Sequence, residues 1–459
     1  MSLGAWLIRE AIAPAWAARE RSPYLRVAAA LKAHERLSLD ERQHRQWSLL
    51  LDIVAQAWEQ SPFYRQRFAD AGFDPRDLRD WDDLRRLPVI TKRDIAANTE
   101  RIIAASADRA ALIPRKTSGS TGVSLHFFVD EQCAQWKRGV ALYRDEWTGW
   151  RLGEWRAMVW GNPDYAKNWR LWLRNALLER GFALDTLRMS RPMMDAFAAQ
   201  VLARRPTMLF GHAHSLFLFA DFWRQRGLPE YRPRAILSTA MVLHPHERRR
   251  IADVFGERVF DRYGCEEVSL IASECEAHSG LHLNTDSLVV EVLDGGAPAV
   301  PGRDGAVVVT DLFNRGFPLI RYQVGDMAVP AAGSCPCGRS YPLLERVAGR
   351  ISDYLVTPEG EWVSGISLTE NFATLIPGLY QVQIVQDRLD HLLLRVVPGP
   401  GYGPASQRHA AVLVRDRFGP EMRFDFEVVD ALHPEPSGKY RFAICKLEEN
   451  AARASINTA

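Results

Sequence analysis

The sequence predicts an α/β protein: a large N-terminal domain with a layered α/β core, followed by a small α+β C-terminal domain. Three observations predict it. Residues from about 1 to 110 are polar, with apolar positions recurring at the helical period. From about 110 to 330, short apolar runs alternate with amphipathic segments, the pattern of strands packed on helices. After Gly349-Arg350 the pattern restarts on a smaller scale. The boundaries follow: residues 1–348 form the large domain, with 1–110 as its mainly helical lead-in, and residues 349–459 form the small one.

The individual elements rest on local signals. Ser38 with Glu41 three residues on has the pattern of a capping box, which opens a helix. Pro88 and Pro114 bracket a helix around Thr91 to Asn98. Strands are expected at Thr207–Gly211, Ala235–Ser238, Arg258–Asp261, Ser287–Leu293 and Gly305–Asp311. Helices are expected at Met193–Arg204 and Pro245–Phe255. In the small domain, Val363–Ala373 reads as a turn and helix. Tyr380–Val385, His391–Val397 and Met422–Val429 read as strands, and Ala405–Phe418 as a helix.

Bulk composition excludes several classes. A net charge of +2 gives no broad field for nucleic acid or an anionic membrane. The run Arg248-Arg249-Arg250 is expected to be a solvated helix face. No apolar stretch is long enough to span a bilayer. The first ten residues do not read as a signal peptide, because Arg9 and Glu10 close a short apolar run that no early basic region precedes. Leu3, Trp6 and Leu7 share a helical face expected to pack on the protein's own body. A cytoplasmic location follows. Six cysteines in a long chain with no export signal are not expected to form a disulfide framework.

Five segments carry chemistry. Thr117-Ser-Gly-Ser-Thr-Gly122 has two glycines and four hydroxyls. Such a loop can bring backbone N–H groups onto a polyphosphate, although alone it reads equally as a linker. Asp261-Arg-Tyr-Gly-Cys-Glu-Glu267 sets carboxylates where a strand is expected to end, a place to hold Mg²⁺, and a tyrosine that offers a purine a flat face; alone it is a charged turn. In Leu319-Ile-Arg-Tyr-Gln-Val-Gly-Asp326, a Gly-Asp turn can aim a carboxylate at sugar hydroxyls. Gly349-Arg-Ile-Ser-Asp353 and Pro436-Ser-Gly-Lys439 complete the set, the lysine being a mobile point charge on a glycine turn.

In this order and spacing, the five segments resemble the adenylate-forming superfamily of acyl-CoA synthetases, luciferases and peptide-synthetase adenylation domains. Within it the chain looks most like the phenylacetate–CoA ligase-like branch, including relatives associated with capsule biosynthesis. The resemblance covers about residues 85 to 445. It implies an AMP-forming ligase that activates a carboxylic acid with ATP, releases pyrophosphate and passes the acyl group to CoA. It implies that Thr117, Ser118, Gly119, Ser120, Thr121 and Gly122 form the phosphate loop. Tyr263 would pack on adenine and Asp326 hold the ribose hydroxyls, with Arg350 near ribose and phosphate. Glu267 would be the Mg²⁺ partner and Lys439 the catalytic lysine bridging ATP and carboxylate. Gly349–Asp353 would be the hinge about which the small domain moves.

Several positions depart from the pattern of that superfamily. Val123 and Ser124 follow the phosphate loop where a lysine is common, and Arg115 or Lys116 is the candidate replacement charge. Glu266 replaces the usual threonine, a Gly-Glu-like turn is missing near Ser238–Met241, and Ser352 stands where the hinge often has Asp. These departures bear on the second half-reaction. Two alternatives to CoA transfer therefore stand: amide or ester formation on an amine or hydroxyl acceptor, and a non-catalytic nucleotide binder.

Cys335-Pro-Cys337 and Cys275-Glu-Ala-His278-Ser-Gly-Leu-His282 make up the inventory of a structural zinc site. Some members of the branch carry zinc at such a place. The expected ligands are Cys275, His282, Cys335 and Cys337, with His278 in reserve; Cys265 is expected to pack near the ATP motif. Thr207–Ser215, with His212 and His214 on one side of a strand, sits where relatives build the acid pocket. Trp147, Trp150, Trp155, Trp160, Trp169 and Trp172 are expected to be mostly core. No nucleic-acid partner and no stable membrane insertion are expected.

Overall fold

A computed structural model describes residues 3–116, 125–160, 169–186, 189–350, 354–359, 362–364, 372, 375–433, 440–441 and 443–447. Twenty strands are named here in chain order. The first ten are β1 (Ile113–Lys116), β2 (His126–Val129), β3 (Arg156–Val159), β4 (Gly181–Leu184), β5 (Met208–His212), β6 (Ala235–Thr239), β7 (Val259–Cys265), β8 (Ser269–Glu274), β9 (Leu281–Leu283) and β10 (Leu288–Asp294). Then come β11 (Ala297–Pro298), β12 (Gly305–Asp311), β13 (Tyr322–Pro330), β14 (Leu343–Arg350), β15 (Tyr354–Val356), β16 (Trp362–Ser364), β17 (Leu379–Arg388), β18 (His391–Pro398), β19 (Arg423–Val428) and β20 (Ala443–Cys445).

The lead-in is helical for local reasons. Ser38 accepts from the Glu41 N–H at 3.2 Å while the Glu41 carboxylate accepts from the Ser38 N–H at 2.7 Å, so two orphan donors of the helix Leu39–Gln60 are satisfied. That helix buries Arg42, Gln46, Leu50, Ile53, Val54 and Ala57, a single stripe at helical spacing. Arg42 pairs with Asp286 at 3.1 Å and lies 3.6 Å over the Tyr341 ring, tying the lead-in to the main body. The expected helix after Pro88 runs Lys92–Ile102, with Thr91 as its cap and a break in helical geometry at Asn98.

Among the described residues, the large domain holds one twelve-stranded sheet in the order β11-β10-β12-β13-β14-β9-β8-β7-β6-β5-β3-β4. From β4 to β7 the pairing is parallel; from β7 to β11 it is antiparallel. The parallel half is covered by the helices Arg191–Arg204, Ala213–Gln225 and Pro245–Phe255, and every residue of β5 and β6 is buried, as strands covered on both faces require. The antiparallel half packs against the helical lead-in through Leu50, Ile53, Phe68, Ile90, Ile271, Val309 and Tyr322.

The small domain is a four-stranded sheet, β19-β18-β17-β20, with the helix Pro404–Phe418 against it. Its core is Ile384, Leu392, Leu394, Val396, Val414 and Phe418. The described part of Val363–Ala373 begins as the end of β16, not as a helix; most of that segment lies outside the described residues.

Four expectations about the surface and the strands are corrected. Leu3, Trp6 and Leu7 are 74%, 48% and 42% exposed; Ala5 and Ile8 face inward instead, and the five-residue π-helical stretch Ile8–Ile12 brings Ala13 onto the same face as Ile8. Trp169 and Trp172 are also on the surface, at 68% and 60%, whereas Trp147 and Trp150 are core. The Arg248–Arg250 run is not merely solvated: Arg248 bonds Glu274 at 2.7 Å and the Val259 carbonyl at 2.7 Å, and Arg250 pairs with Asp221. β7 runs through Tyr263 to Cys265, so of that motif only Glu266 and Glu267 lie in a turn beyond the strand, and β13 runs through Gly325-Asp326, which is strand and not a turn.

Gly378, at φ +72°, leads into β17 with the backbone of Gly401 and Tyr402 pressed against it. An alanine there suffers both a left-handed backbone and a clash with main chain. Gly378→Ala is expected to destabilise the small domain by about 1–3 kcal/mol, read as a lowered small-domain transition in calorimetry of the full chain.

Candidate functional site

β7 carries the central aromatic. A bulge falls between Tyr263 and Gly264, where the backbone of Ser269 approaches so closely that a Cβ on Gly264 would collide with its carbonyl. Three strands separate β7 from β13 in the sheet, yet the Tyr263 hydroxyl donates to Asp326 Oδ2 at 2.8 Å. The antiparallel half must therefore curl back on itself, with Tyr263, Ile271 and Tyr322 within one core. Asp326 stands opposite Arg350 on β14, next to a register shift after Met327. Tyr263, Asp326 and the backbone of Arg350 are thus brought to one place.

Glu267 lies buried in the β7–β8 connection. It accepts from the Tyr322 hydroxyl at 2.8 Å and has Lys92 Nζ at 3.5 Å. Burial, then the Glu267 charge, pushes the Tyr322 phenol well above its ordinary value, so it stays a donor. Lys137 donates to the Glu267 carbonyl at 3.2 Å and pairs with Asp311 at 2.8 Å, clamping the connection from below. Cys265 is partly buried against the core nearby. Sequence reasoning missed Lys92 and Tyr322. Lys92 had a signal, since the Thr91–Asp94 capping box fixes it at the first helical position.

β1 and β2 pair antiparallel, with Lys116 opposite His126, and the segment Thr117–Gly122 falls between them in the chain. Thr117, Ser118, Gly119, Ser120, Thr121 and Gly122 lie outside the described residues, as do Ile351–Asp353, Lys439 and the Arg350 side chain.

The sulfur and imidazole set is gathered from three places: Cys275 after β8, His282 on β9, and Cys335 and Cys337 between β13 and β14. Their ligand atoms all lie within 4.8 Å of one another. Cys275 Sγ and Cys335 Sγ are 3.6 Å apart, and Cys337 Sγ is 3.4 Å from His282 Nε2. A tetrahedral zinc with ordinary Zn–S and Zn–N bonds needs separations of about 3.8 and about 3.5 Å. Burial, then Arg144 and Arg339, pushes His282 down to about 3, so it is the neutral ligand form. N–H groups of Ala277 and Arg339 donate to Cys275 and Cys337 at 3.4 and 3.5 Å. These donors and separations fit a metal. His278 turns away, with Nδ1 3.3 Å from Glu274.

His212 and His214 do not share a strand face. His212 ends β5, and His214 lies in the first turn of the helix Ala213–Gln225. Trp160 lies 4.2 Å from the His212 ring and stacks on Phe210 at 5.3 Å, forming an aromatic wall where the acid pocket is expected.

Asp261, at the start of the Tyr263 motif, is held beside a second carboxylate. Its N–H donates to Glu274 Oε2 at 2.8 Å, and Arg248 bonds the same side chain from the other side at 2.7 Å. Burial, then Glu274, pushes the Asp261 carboxyl up to about 7.

The fold and site have relatives. Residues 355–446 match the CapK C-terminal domain family. The chain is 24% identical over 369 residues to protein CapK of Staphylococcus aureus, covering 79% of this chain and 80% of that protein. It is 25% identical over 346 residues to phenylacetate-coenzyme A ligase of Thermus thermophilus, covering 70% and 73%. Its fold matches 2-hydroxyisobutyryl-CoA ligase in the postadenylation state, with TM-score 0.73 at 22% identity over 93% of this chain and 94% of that one. The same ligase in its thioesterification state matches at 0.59.

A carboxyl whose folded pKa is raised binds its proton more tightly in the folded chain, so its ionisation opposes folding as pH rises from the unfolded value towards 7. Asp261→Asn is expected to unfold at higher denaturant than wild type at pH 8, with the gain shrinking steadily below pH 7 and vanishing near pH 4. Urea titrations at pH 4, 6 and 8 read the difference.

Proposed function

We propose that the chain is a member of the adenylate-forming superfamily, in its phenylacetate–CoA ligase-like branch, and that it activates a carboxylic acid with ATP and then transfers the acyl group to CoA. The single observation that carries the reading is the 2.8 Å bond between Tyr263 and Asp326, beside Glu267. It joins the residue assigned to adenine with the residue assigned to ribose, across three intervening strands.

The chemistry accounts for the residue types. Tyr263 would offer its ring to the purine, and its hydroxyl orients the Asp326 carboxylate, whose oxygens are the acceptors suited to ribose hydroxyls. Glu267, oriented by Tyr322, would hold Mg²⁺, which supplies charge neutralisation between the phosphates. A carboxylate is a weak nucleophile repelled by those phosphates. Lys439 would offset the repulsion and stabilise charge on the α-phosphate as pyrophosphate leaves. Arg350 would stand near ribose and phosphate, and the loop Thr117–Gly122 would hold the polyphosphate. The four ligands Cys275, His282, Cys335 and Cys337 would hold zinc in a folding role, away from the reacting atoms.

ATP–pyrophosphate exchange with aryl, fatty and amino acids, without acceptor, tests the first half-reaction. Exchange with one acid class is expected, and Lys439→Ala is expected to lower it about 10²–10³-fold; an unchanged rate would remove Lys439 from the mechanism. Adding CoA or amines afterwards identifies the acceptor. Protein purified without chelator is expected to contain about one zinc per chain. Cys335→Ser is expected to lose that metal and to melt at lower temperature. A zinc-free wild type of full stability would sink the metal assignment.

A further inference from the structure

One polar chain crosses between the two domains, and the adenylation chemistry does not use it. Glu247 is buried in the first turn of the helix Pro245–Phe255 and accepts from the His244 N–H through Oε2 at 3.3 Å. Its Oε1 lies 2.7 Å from His214 Nδ1. On the other side of the imidazole, the Gln381 amide nitrogen lies 2.6 Å from His214 Nε2. The tautomer follows from the partners. Nδ1–H donates to the carboxylate, which leaves Nε2 as acceptor for the amide N–H. Glu247 and His214 belong to the large domain, Gln381 to β17 of the small one.

Two further observations place this contact. The β17–β18 register shifts between Leu379 and Gln381, and such a shift re-aims a side chain out of the regular sheet pattern. The His214 ring also meets the Tyr440 ring edge-on at 4.6 Å, and Tyr440 is the next residue after Lys439.

We infer that Glu247, His214 and Gln381 form a domain latch that holds the small domain against the large one for adenylation and is released for acyl transfer. The inference rests on the adenylation reading above. His214 and Gln381 are positioning residues, since they act through the placement of the small domain. The direction of the effect follows. A latch made in one arrangement of the domains favours the half-reaction run in that arrangement and opposes the other.

Gln381→Leu and Gln381→Met each keep the side chain's bulk and remove the amide that donates to Nε2. In the full-length protein, both are expected to raise hydrogen–deuterium exchange at the start of β17 and at the first turn of the helix Ala213–Gln225. With the acid giving the fastest wild-type pyrophosphate exchange, both are expected to slow that exchange about tenfold, the effect of losing one hydrogen bond from a buried contact. Transfer to CoA from pre-formed acyl-adenylate is expected to be no slower than in wild type, because the arrangement that the latch opposes is released. Unchanged deuterium uptake in both variants would overturn the latch, whatever the acid. Equal slowing of both half-reactions would also overturn it, because that is the mark of general damage. If wild type exchanges pyrophosphate with no acid while the variants loosen β17, the adenylation reading fails and the latch survives as a docking contact only.

Discussion

β7 is the strand on which the rest of the site depends, because the sheet changes from parallel to antiparallel pairing there. A parallel neighbour fixes one edge of β7 against β6, which is buried on both faces and cannot move without exposing core. The other edge meets β8 through a bulge, and bulges increase local twist. Twist accumulated over β8, β9 and β14 returns β13 towards β7, close enough for the Tyr263 hydroxyl to reach Asp326. Gly264 is part of this constraint, since the backbone of Ser269 occupies the space its side chain would need.

The sulfur cluster lies on the same curled half. Cys275 and His282 bracket the link from β8 to β9, and Cys335 and Cys337 stand on the link from β13 to β14. β9 and β14 are adjacent in a short pairing, Leu343 opposite His282 and Leu344 opposite Leu281, extended by the Leu283 N–H donating to the Pro342 carbonyl at 2.8 Å. A metal at the four ligands would staple a short pairing on which the curl depends. Arg339 joins this cluster to the lead-in, pairing with Glu35 at 3.3 Å and Glu276 at 2.9 Å. A folding role for such a metal and the approach of Tyr263 to Asp326 would therefore be one mechanical matter.

Legibility in the sequence followed the range of the interaction. The helix Pro245–Phe255 and the strand Gly305–Asp311 have the bounds that local pattern assigns to them, because proline, glycine and apolar period set those ends. The α/β alternation and the small α+β unit were legible for the same reason. Tyr263-Gly264 and Gly325-Asp326 read locally as turns; only pairing with β8 and β14 makes them strand. His214 was expected on a strand because the junction after β5 has no capping side chain to announce a helix. Tyr322 on Glu267 spans 55 residues and Gln381 on His214 spans 167, distances at which residue patterns carry no signal of contact. The four sulfur and imidazole ligands were an inventory in the sequence; only the fold puts their atoms together.

The polar character of the domain contact has its own physical logic. An interface closed by buried apolar surface gains stability in proportion to area and resists opening. A contact built on a histidine between a carboxylate and an amide gains only about 0.5–1.5 kcal/mol for each neutral hydrogen bond, because water replaces the partner when the domains part. Gln381 can be hydrated when released, and Glu247 keeps the His214 donor and the His244 N–H in either state. The buried charge thus keeps its partners, while opening releases the Gln381 amide and the edge of the Tyr440 ring from His214. A contact of this strength biases a two-state equilibrium by about tenfold without locking it. A bias of that size suits the proposed latch, which would hold one arrangement of the domains without preventing the other.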